Sequence, residues 1–141
     1  MGDLRTFVTF EASLPDDAVF AESGDVSVPS GRNICEVLIA NMQSEGIVAS
    51  DAEQHESYGW EFTAKIDGAE VRILVQWVEP WLMILENRSG RSGVFRRARE
   101  PSASSMNLIH DVLKQVMEIS NISWFTRGEF ESGSRVGNPN P

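Results

Sequence analysis

The chain has 141 residues, of which 41% are hydrophobic and 23% charged, a size and composition that predict one globular domain and exclude a disordered or fibrous protein. Cys35 is its only cysteine, which excludes an intramolecular disulfide and a cysteine-rich zinc site. The formal net charge of −9 disfavours nucleic acid as a partner, because lysine and arginine supply the affinity of proteins for phosphate.

The first half of the chain predicts a strand, an acidic stretch and a long helix. The strand covers residues 4–11, in which Val8 and Phe10 alternate with more polar side chains. The acidic stretch, residues 13–27, starts with Ser-Leu-Pro-Asp-Asp, which is typical of a short capped helical turn. The helix is predicted to begin after Ser30 and to end at Gly46, a residue typical of helix C-caps. Its apolar side consists of Ile34, Val37, Leu38 and Met42.

The strongest local signal is a hairpin around Asp67-Gly68. Apolar and polar residues alternate before this dipeptide, and Asp-Gly suits a type I′ turn, in which both central residues have positive φ. Such a turn sets the register of the two strands and places Lys65 opposite Glu70. On the other face it pairs Tyr58 with Trp77, Trp60 with Val75, Phe62 with Ile73, Ala64 with Val71, and Ile66 with Ala69.

Three further strands and a second helix complete the predicted order. The strands are a short one at residues 47–49, a third meander strand at 81–85 and a last strand at 122–127. The second helix is predicted to start near Ser104 or Ser105. Its apolar stripe consists of Leu108, Ile109, Val112, Leu113, Val116 and Met117.

These elements predict an α+β fold. The expected architecture is a two-layer sandwich, with a mostly antiparallel sheet of five to six strands and two main helices packed on one face. Residues 1–130 are expected to form this single domain, and residues 131–141 a disordered tail. No stretch reaches the roughly 18–20 apolar residues of a membrane span, so a cytoplasmic protein without membrane contact is expected.

Charge is distributed unevenly along the chain. Residues 1–61 contain 12 acidic and 2 basic side chains, whereas residues 88–99 contain five arginines and no acid. An acidic surface of this kind steers basic partners towards it. The arginines offer paired donors to a carboxylate or phosphate group, so Arg96 and Arg97 are candidate binding residues.

The strand at residues 70–78 is apolar on both faces. If the helices cover only one face, the other presents an apolar patch, and such patches often mark interfaces. In the alternative interpretation, the polar segment at 51–57 or at 87–104 covers this face. The candidate binding residues near the patch are Leu74, Val78, Trp81 and Met83.

Few residues suit acid–base or nucleophilic chemistry. His55 lies among acidic residues in a polar segment, which is more typical of a solvated loop than of a carboxylate–histidine pair. His110 and Asp111 are adjacent on a helix and point about 100° apart, so His110 is expected at the surface or the boundary of the core. Cys35 belongs to an apolar helix, where packing is its usual role. No catalytic residue, metal site or cofactor is predicted.

Several short motifs carry a resemblance to known domains: Pro29-Ser-Gly-Arg32, Gly46-Ile-Val48, Ser57-Tyr-Gly-Trp60-Glu-Phe62 and Ile122-Ser-Trp124, together with Ile34, Leu38 and Trp81. Through them, residues 28–125 resemble a class of small bacterial α+β domains of unknown function. The size and acidity of the chain also resemble those of toxin-immunity proteins. Its helix–meander–helix order resembles that of secretion chaperones, although these typically begin with a helix where this chain has a strand. The last two classes imply binding of a larger, often basic, partner protein.

The sequence therefore favours a non-enzymatic protein-binding module that uses an acidic surface and an apolar sheet face. One alternative is a small-ligand or anion-binding domain, or an enzyme, that uses the Arg88–Arg99 stretch with His55 or His110. Another is self-association through the second face of the sheet. A histidine that meets a carboxylate in a concave pocket would favour the enzyme.

Overall fold

The computed structural model describes residues 4–56, 58–78, 80–87, 101–134 and 136–141. Within them the chain has the predicted α+β fold. The elements are β1 (Phe7–Ala12), β2 (Val19–Phe20), β3 (Val26–Val28), α1 (Arg32–Ser44), β4 (Val48–Ala49), β5 (Glu53–His55), β6 (Gly59–Ile66), β7 (Ala69–Trp77), β8 (Trp81–Asn87), α2 (Ala103–Gln115), β9 (Ile119–Phe125) and α3 (Arg127–Glu131).

The main sheet is antiparallel, with strand order β4-β6-β7-β8-β1-β9 and with β5 also paired to β6. It has seven strands where five to six are predicted, because the segment that contains β5 pairs with β6 instead of remaining a polar loop. β2 and β3 form a separate two-stranded sheet. We call residues 13–30, which carry these two strands between β1 and α1, the arm.

The β6–β7 hairpin has the predicted turn and register. Asp67 and Gly68 both have positive φ, 52° and 77°, as a type I′ turn requires. Trp60 pairs with Val75 and Lys65 with Glu70, and the pairs between them follow in step. The prediction is confirmed because turn chemistry and side-chain alternation, both local properties, specify the same register.

One face of the sheet carries the hydrophobic core. Val8, Phe62, Ile73 and Met83 point into it from four different strands and are almost wholly buried. Both long helices contribute their apolar sides to the same cluster. The helix residues involved are Ile34, Leu38 and Met42 of α1 and Met106, Ile109 and Leu113 of α2.

The C-terminus of α1 is as predicted. Gly46 has a φ of 80° and its N–H donates to the carbonyl of Gln43 over 3.0 Å, while the N–H of Ile47 donates to the carbonyl of Met42 over 2.9 Å. These two bonds form a Schellman motif, which needs a left-handed residue at the Gly46 position.

The apolar stripe of α2 differs from the predicted one at its C-terminal margin. Val116 is buried, but Met117 is 95% exposed. α2 ends at Gln115, so Met117 lies in a turn and does not continue the helical spacing. The helix begins at Ala103, close to the predicted start, and the Ser102 side chain accepts the N–H of Ser105 as its cap.

The second face of the sheet is also partly covered. Leu74 and Leu82 are only 6% and 2% exposed. Phe130 of α3 packs against Phe7 and Phe125 on this face, with ring centroids 5.2 and 6.1 Å apart. Among the described residues, the large exposed apolar side chains therefore lie mainly outside this face of the sheet.

The segment after α3 lies along β9. Trp124 and Asn138 exchange two backbone hydrogen bonds of 2.7 and 2.8 Å. A Cβ on Gly137 would lie 2.7 Å from the Cβ of Ser123, so the backbone packs closely at this point. Disorder of residues 131–141 stays a prediction, although their described part makes these defined contacts.

The acidic stretch does not form the predicted capped helical turn. Instead it forms the arm, and its Asp17 caps α1 from a distance of 14 residues along the chain. The Asp17 carboxylate accepts the N–H of Gly31 at 3.0 Å and the N–H of Asn33 at 2.8 Å. Asn33 in turn donates its side-chain N–H to the carbonyl of Pro15 at 3.1 Å. Because Gly31, at the N-cap position, has no side chain, the cap has to come from elsewhere, and a carboxylate is favoured there by the helix dipole.

We predict that Asp17→Ala lowers the free energy of unfolding by about 1–2 kcal/mol, because two amides at the start of α1 lose a charged acceptor. Asp17→Asn, which keeps one acceptor oxygen, is expected to lose less. Urea unfolding followed by circular dichroism measures both, with the exposed Asp51→Ala as control. Equal stabilities of Asp17→Ala and Asp51→Ala would contradict the role given to Asp17.

Candidate functional site

A groove of about 1040 Å³ opens between the arm and one end of the main sheet. Most of its lining atoms belong to apolar or aromatic side chains. The lining residues are Glu11 and Ala12 of β1; Leu14, Asp16, Ala18, Phe20, Val26, Pro29 and Ser30 of the arm; and Tyr58, Trp77, Pro80 and Trp81 from the strand ends.

Two contacts fix the arm in the position that forms this groove. The first is the pair of hydrogen bonds from α1 to Asp17 described above. The second is the indole N–H of Trp60, which donates to the carbonyl of Pro29 over 2.7 Å in a buried position. Gly31 lies beside them, where a Cβ would be in van der Waals contact with Trp60 at 3.4 Å and with Trp81 at 3.5 Å. The groove is therefore preformed.

Three aromatic side chains of the groove are well exposed. Trp77 is 53%, Tyr58 46% and Phe20 60% exposed. The rings of Trp77 and Trp81 meet edge to face with centroids 5.1 Å apart. In the described part of the chain, neither of these two indole N–H groups has a hydrogen-bond partner. Exposed aromatic rings gathered around one concave surface are typical of a binding site.

The charged residues of the groove lining are both acidic. Glu11 accepts a hydrogen bond from the side chain of Asn121, and Asp16 accepts the N–H of Ala18 at 3.0 Å. Among the residues that the structure describes, the lining contains no lysine or arginine. A concave surface with acidic groups only favours a cationic ligand.

His55 joins the groove to a line of polar side chains. Its Nε2 lies 2.9 Å from the hydroxyl oxygen of Tyr58, and its Nδ1 lies 3.5 Å from a carboxylate oxygen of Glu61. Glu61 also lies 3.3 Å from Arg72. The expected solvated loop is wrong here because β5 pairs with β6, which places His55 opposite Gly59 on the face that also carries Glu61. The sequence pattern does not predict β5, and therefore does not predict the pair of His55 and Glu61.

His110 is buried at the edge of the core and lies outside the groove lining. Its Nδ1 accepts the indole N–H of Trp124 over 2.9 Å. Burial, helped by the charge of Lys114, lowers the pKa of His110 below its ordinary 6.5, while Asp111 opposes the shift. A neutral His110 is thus an acceptor within the core.

Cys35 is buried within α1. Burial, and to a smaller extent the charges of Asp17 and Glu36, raises the pKa of the thiol well above its usual range. The thiol therefore stays protonated and is a poor nucleophile. Among the described residues, no three side chains of histidine, cysteine, aspartate or glutamate are grouped to hold a metal ion. None of the helices in that part of the chain has the length and apolar character needed to cross a membrane.

The four predicted binding residues of the sheet separate into two environments. Trp81 lines the groove, and the exposed Val78 follows Trp77 beside it. Leu74 and Met83 are buried, on opposite faces of the sheet. Of the four, the groove lining therefore includes only Trp81.

Arg96 and Arg97, the predicted anion-binding residues, lie outside the described residues. Their described neighbours in the chain lie far from the groove. Asn87 ends β8, and Ser104 donates to Asp67 in the hairpin turn over 2.8 Å. Both positions lie at the turn end of the β6–β7 hairpin, whereas the groove lies at its other end, beside Trp77.

Sequence reasoning missed the contribution of the arm to the site. Its signal is present but short: Val19-Phe20 and Val26 to Val28 flank Ser23-Gly24-Asp25, a turn-forming sequence. Phe20 and Val26 then line the groove. The surrounding acidic residues favour a polar turn over a hairpin, so the pattern alone does not predict this pair of strands.

The chain matches no family model, no curated protein and no solved structure in the three comparisons made.

We predict that His110 makes the protein less stable as the pH falls. Because folding lowers its pKa, His110 contributes stability above pH 6.5, and this contribution is lost as the pH drops from 6.5 towards the folded pKa. Urea unfolding on both sides of pH 6.5 measures the effect. His110→Gln, which cannot take up a proton in this pH range, is expected to reduce the dependence on pH. An unchanged pH dependence in His110→Gln would contradict the assignment.

Proposed function

We propose that this protein is a non-enzymatic protein-binding module of the cytoplasm, and that its groove binds a basic segment of a partner protein. The single observation that supports this best is the exposed aromatic wall of Trp77, Tyr58 and Phe20 beside two acidic residues in a preformed groove.

The aromatic side chains are suited to supply the contact energy. Tryptophan and tyrosine are enriched among the residues that dominate binding energy, because each buries a large area at small conformational cost. Trp77 and Tyr58 are about half exposed in the free protein and therefore have surface to bury against a partner.

The acidic groups are suited to select the partner and to speed its arrival. Glu11 and Asp16 line the groove, and most of the chain's acid excess lies in residues 1–61, which include them. Electrostatic complementarity raises association rates and excludes partners of the same sign more than it raises affinity. Association is therefore expected to weaken as salt increases.

Because the arm is held in place in the free protein, binding to an already folded groove is favoured over binding coupled to folding of the arm. Asp17 and the Trp60–Pro29 hydrogen bond hold the arm in place before any partner arrives. A preformed site loses less conformational entropy on association than a flexible one.

We predict that neutralising the groove acids removes the partner. Glu11→Gln with Asp16→Asn keeps an acceptor oxygen at both positions and removes both charges. The immobilised wild type is expected to retain a partner from the native cytoplasm at low salt, and the double variant to retain much less of it. Quantitative mass spectrometry of the retained proteins measures the difference.

The matched control is Glu45→Gln with Asp111→Asn, which removes two charges from exposed helix positions away from the groove. This variant is expected to retain the partner as the wild type does. The proposal fails if no partner is retained in stoichiometric amount, or if both double variants lose it equally.

A second candidate function has one specific observation in its favour. The Glu61 carboxylate lies beside Nδ1 of His55, and Nε2 of His55 shares a hydrogen bond with the Tyr58 hydroxyl. In the tautomer that carries its proton on Nδ1, the imidazole accepts this hydrogen bond and can act as a base towards Tyr58. A hydroxyl, a base and an orienting carboxylate are the parts of an activated nucleophile, and Tyr58 lines the groove. Pairing of Arg72 with both Glu61 and Glu86 is equally consistent with a structural ion-pair network, so we rank this candidate second.

Tyr58→Phe separates the two candidates, because it keeps the aromatic ring for binding and removes the hydroxyl. If Tyr58, His55 and Glu61 are catalytic, the wild type hydrolyses p-nitrophenyl acetate faster than buffer alone does. Tyr58→Phe is then expected to abolish this excess rate, and the control His110→Gln is expected to leave it unchanged. An equal rate for the wild type and Tyr58→Phe would exclude the catalytic function of Tyr58.

A further inference from the structure

We propose that the segment bound in the groove is a polyproline II helix that carries prolines together with arginine or lysine. This inference rests on the proposed function and specifies the conformation and composition of the partner's segment.

The walls of the groove suit proline rings. Four aromatic side chains, Phe20, Tyr58, Trp77 and Trp81, line it together with Pro29 and Pro80. Proline-rich segments dock into aromatic-lined grooves, and their polyproline II conformation is already populated before binding, so little conformational entropy is lost.

The hydrogen-bonding state of the four tryptophans supports the same occupant. Trp60 donates its indole N–H to Pro29 over 2.7 Å, and Trp124 donates to His110 over 2.9 Å. Trp77 and Trp81, the two tryptophans of the groove, have no such acceptor among the described residues. A polyproline II helix has no internal hydrogen bonds, so all its carbonyl groups are available to accept from these donors.

Other backbone conformations fit this groove less well. A strand that extends the main sheet needs a free strand edge, but the outer strands of that sheet, β4, β5 and β9, contribute no residue to the lining. β2 and β3 of the arm do line the groove, but they are only two and three residues long and offer a short edge for pairing. An α-helix uses its own carbonyl groups internally except at its C-terminus, and would leave Trp77 and Trp81 without acceptors.

The charges define the rest of the segment. In the described part of the lining, the ionisable groups other than Tyr58 are Glu11 and Asp16, and both are acids. Arginine or lysine residues that flank the prolines complement them, and an arginine side chain can also stack on the exposed ring of Trp77.

Three synthetic peptides of equal length test the inference with the full chain. They are Arg-Pro-Pro-Pro-Arg-Pro-Pro-Pro-Arg, the same peptide with its prolines replaced by Gly and Ser, and the same peptide with its arginines replaced by Glu. Isothermal titration calorimetry measures each affinity. The arginine–proline peptide is expected to bind about tenfold or more tightly than either of the others, because only it is both preorganised and complementary in charge.

Variants of Trp77 locate the site. Trp77→Ala is expected to weaken binding of the arginine–proline peptide about thirtyfold or more, and Trp77→Phe, which keeps a ring but lacks the indole N–H, about threefold to tenfold. Met117→Ala, at an exposed apolar residue outside the groove, is expected to leave the affinity unchanged.

Equal affinities of the arginine–proline and arginine–glycine–serine peptides would overturn the polyproline II inference and leave the proposed function standing. Failure of every peptide to bind, with a partner still retained from the cytoplasm in a groove-dependent way, would also overturn only the inference. Loss of that groove-dependent partner is the result that refutes the proposed function itself.

Discussion

The site depends on the contact between the Asp17 carboxylate and the first turn of α1. Two backbone amides, those of Gly31 and Asn33, donate to this one side chain, which brings the arm from the end of β1 to the start of the helix. A carboxylate at this position is stabilised by the helix dipole as well as by the hydrogen bonds. Without it, α1 would begin at a glycine that has no side chain to offer as a cap, and the arm would lose its contact with α1 opposite the aromatic strand ends. One polar contact thus links the stability of α1 to the shape of the groove.

Two of the four tryptophans, Trp60 and Trp124, are buried and hydrogen-bonded, whereas Trp77 and Trp81 line the groove. The register of the hairpin and the need of a buried indole N–H for an acceptor explain this division. Alternation from the Asp67-Gly68 turn carries Trp60 into the core, where its indole N–H donates a hydrogen bond to the carbonyl of Pro29. The same strand pair continues to Trp77, which lies at the end of β7 and remains exposed. A buried indole without an acceptor loses free energy, so the two tryptophans inside have partners, whereas those of the groove remain available for a ligand.

Local signals in the sequence were sufficient for the hairpin and for the end of α1. Asp67-Gly68 and Gly46 each specify a backbone conformation that few other residues adopt, and the flanking apolar pattern agrees with both. The arm, the Asp17 cap and the His55–Glu61 pair were not predictable in this way, because each joins residues that are separated in the chain or lie in strands of two or three residues. For the same reason, the candidate site was found only in part: Trp81 was singled out, but the acids and the arm residues that form the groove around it were not. The predicted arginine stretch lies outside the described residues.

The location of the bound segment is the most direct test of this account. Each of the four tryptophans has an indole N–H that gives its own signal in a nitrogen–proton correlation spectrum of the labelled protein. Titration with the arginine–proline peptide is predicted to shift the indole signals of Trp77 and Trp81 in a saturable way and to leave that of Trp124, which is bonded to His110 inside the core, in place. Saturable binding that shifts neither groove indole would contradict the assignment of the groove as the binding site.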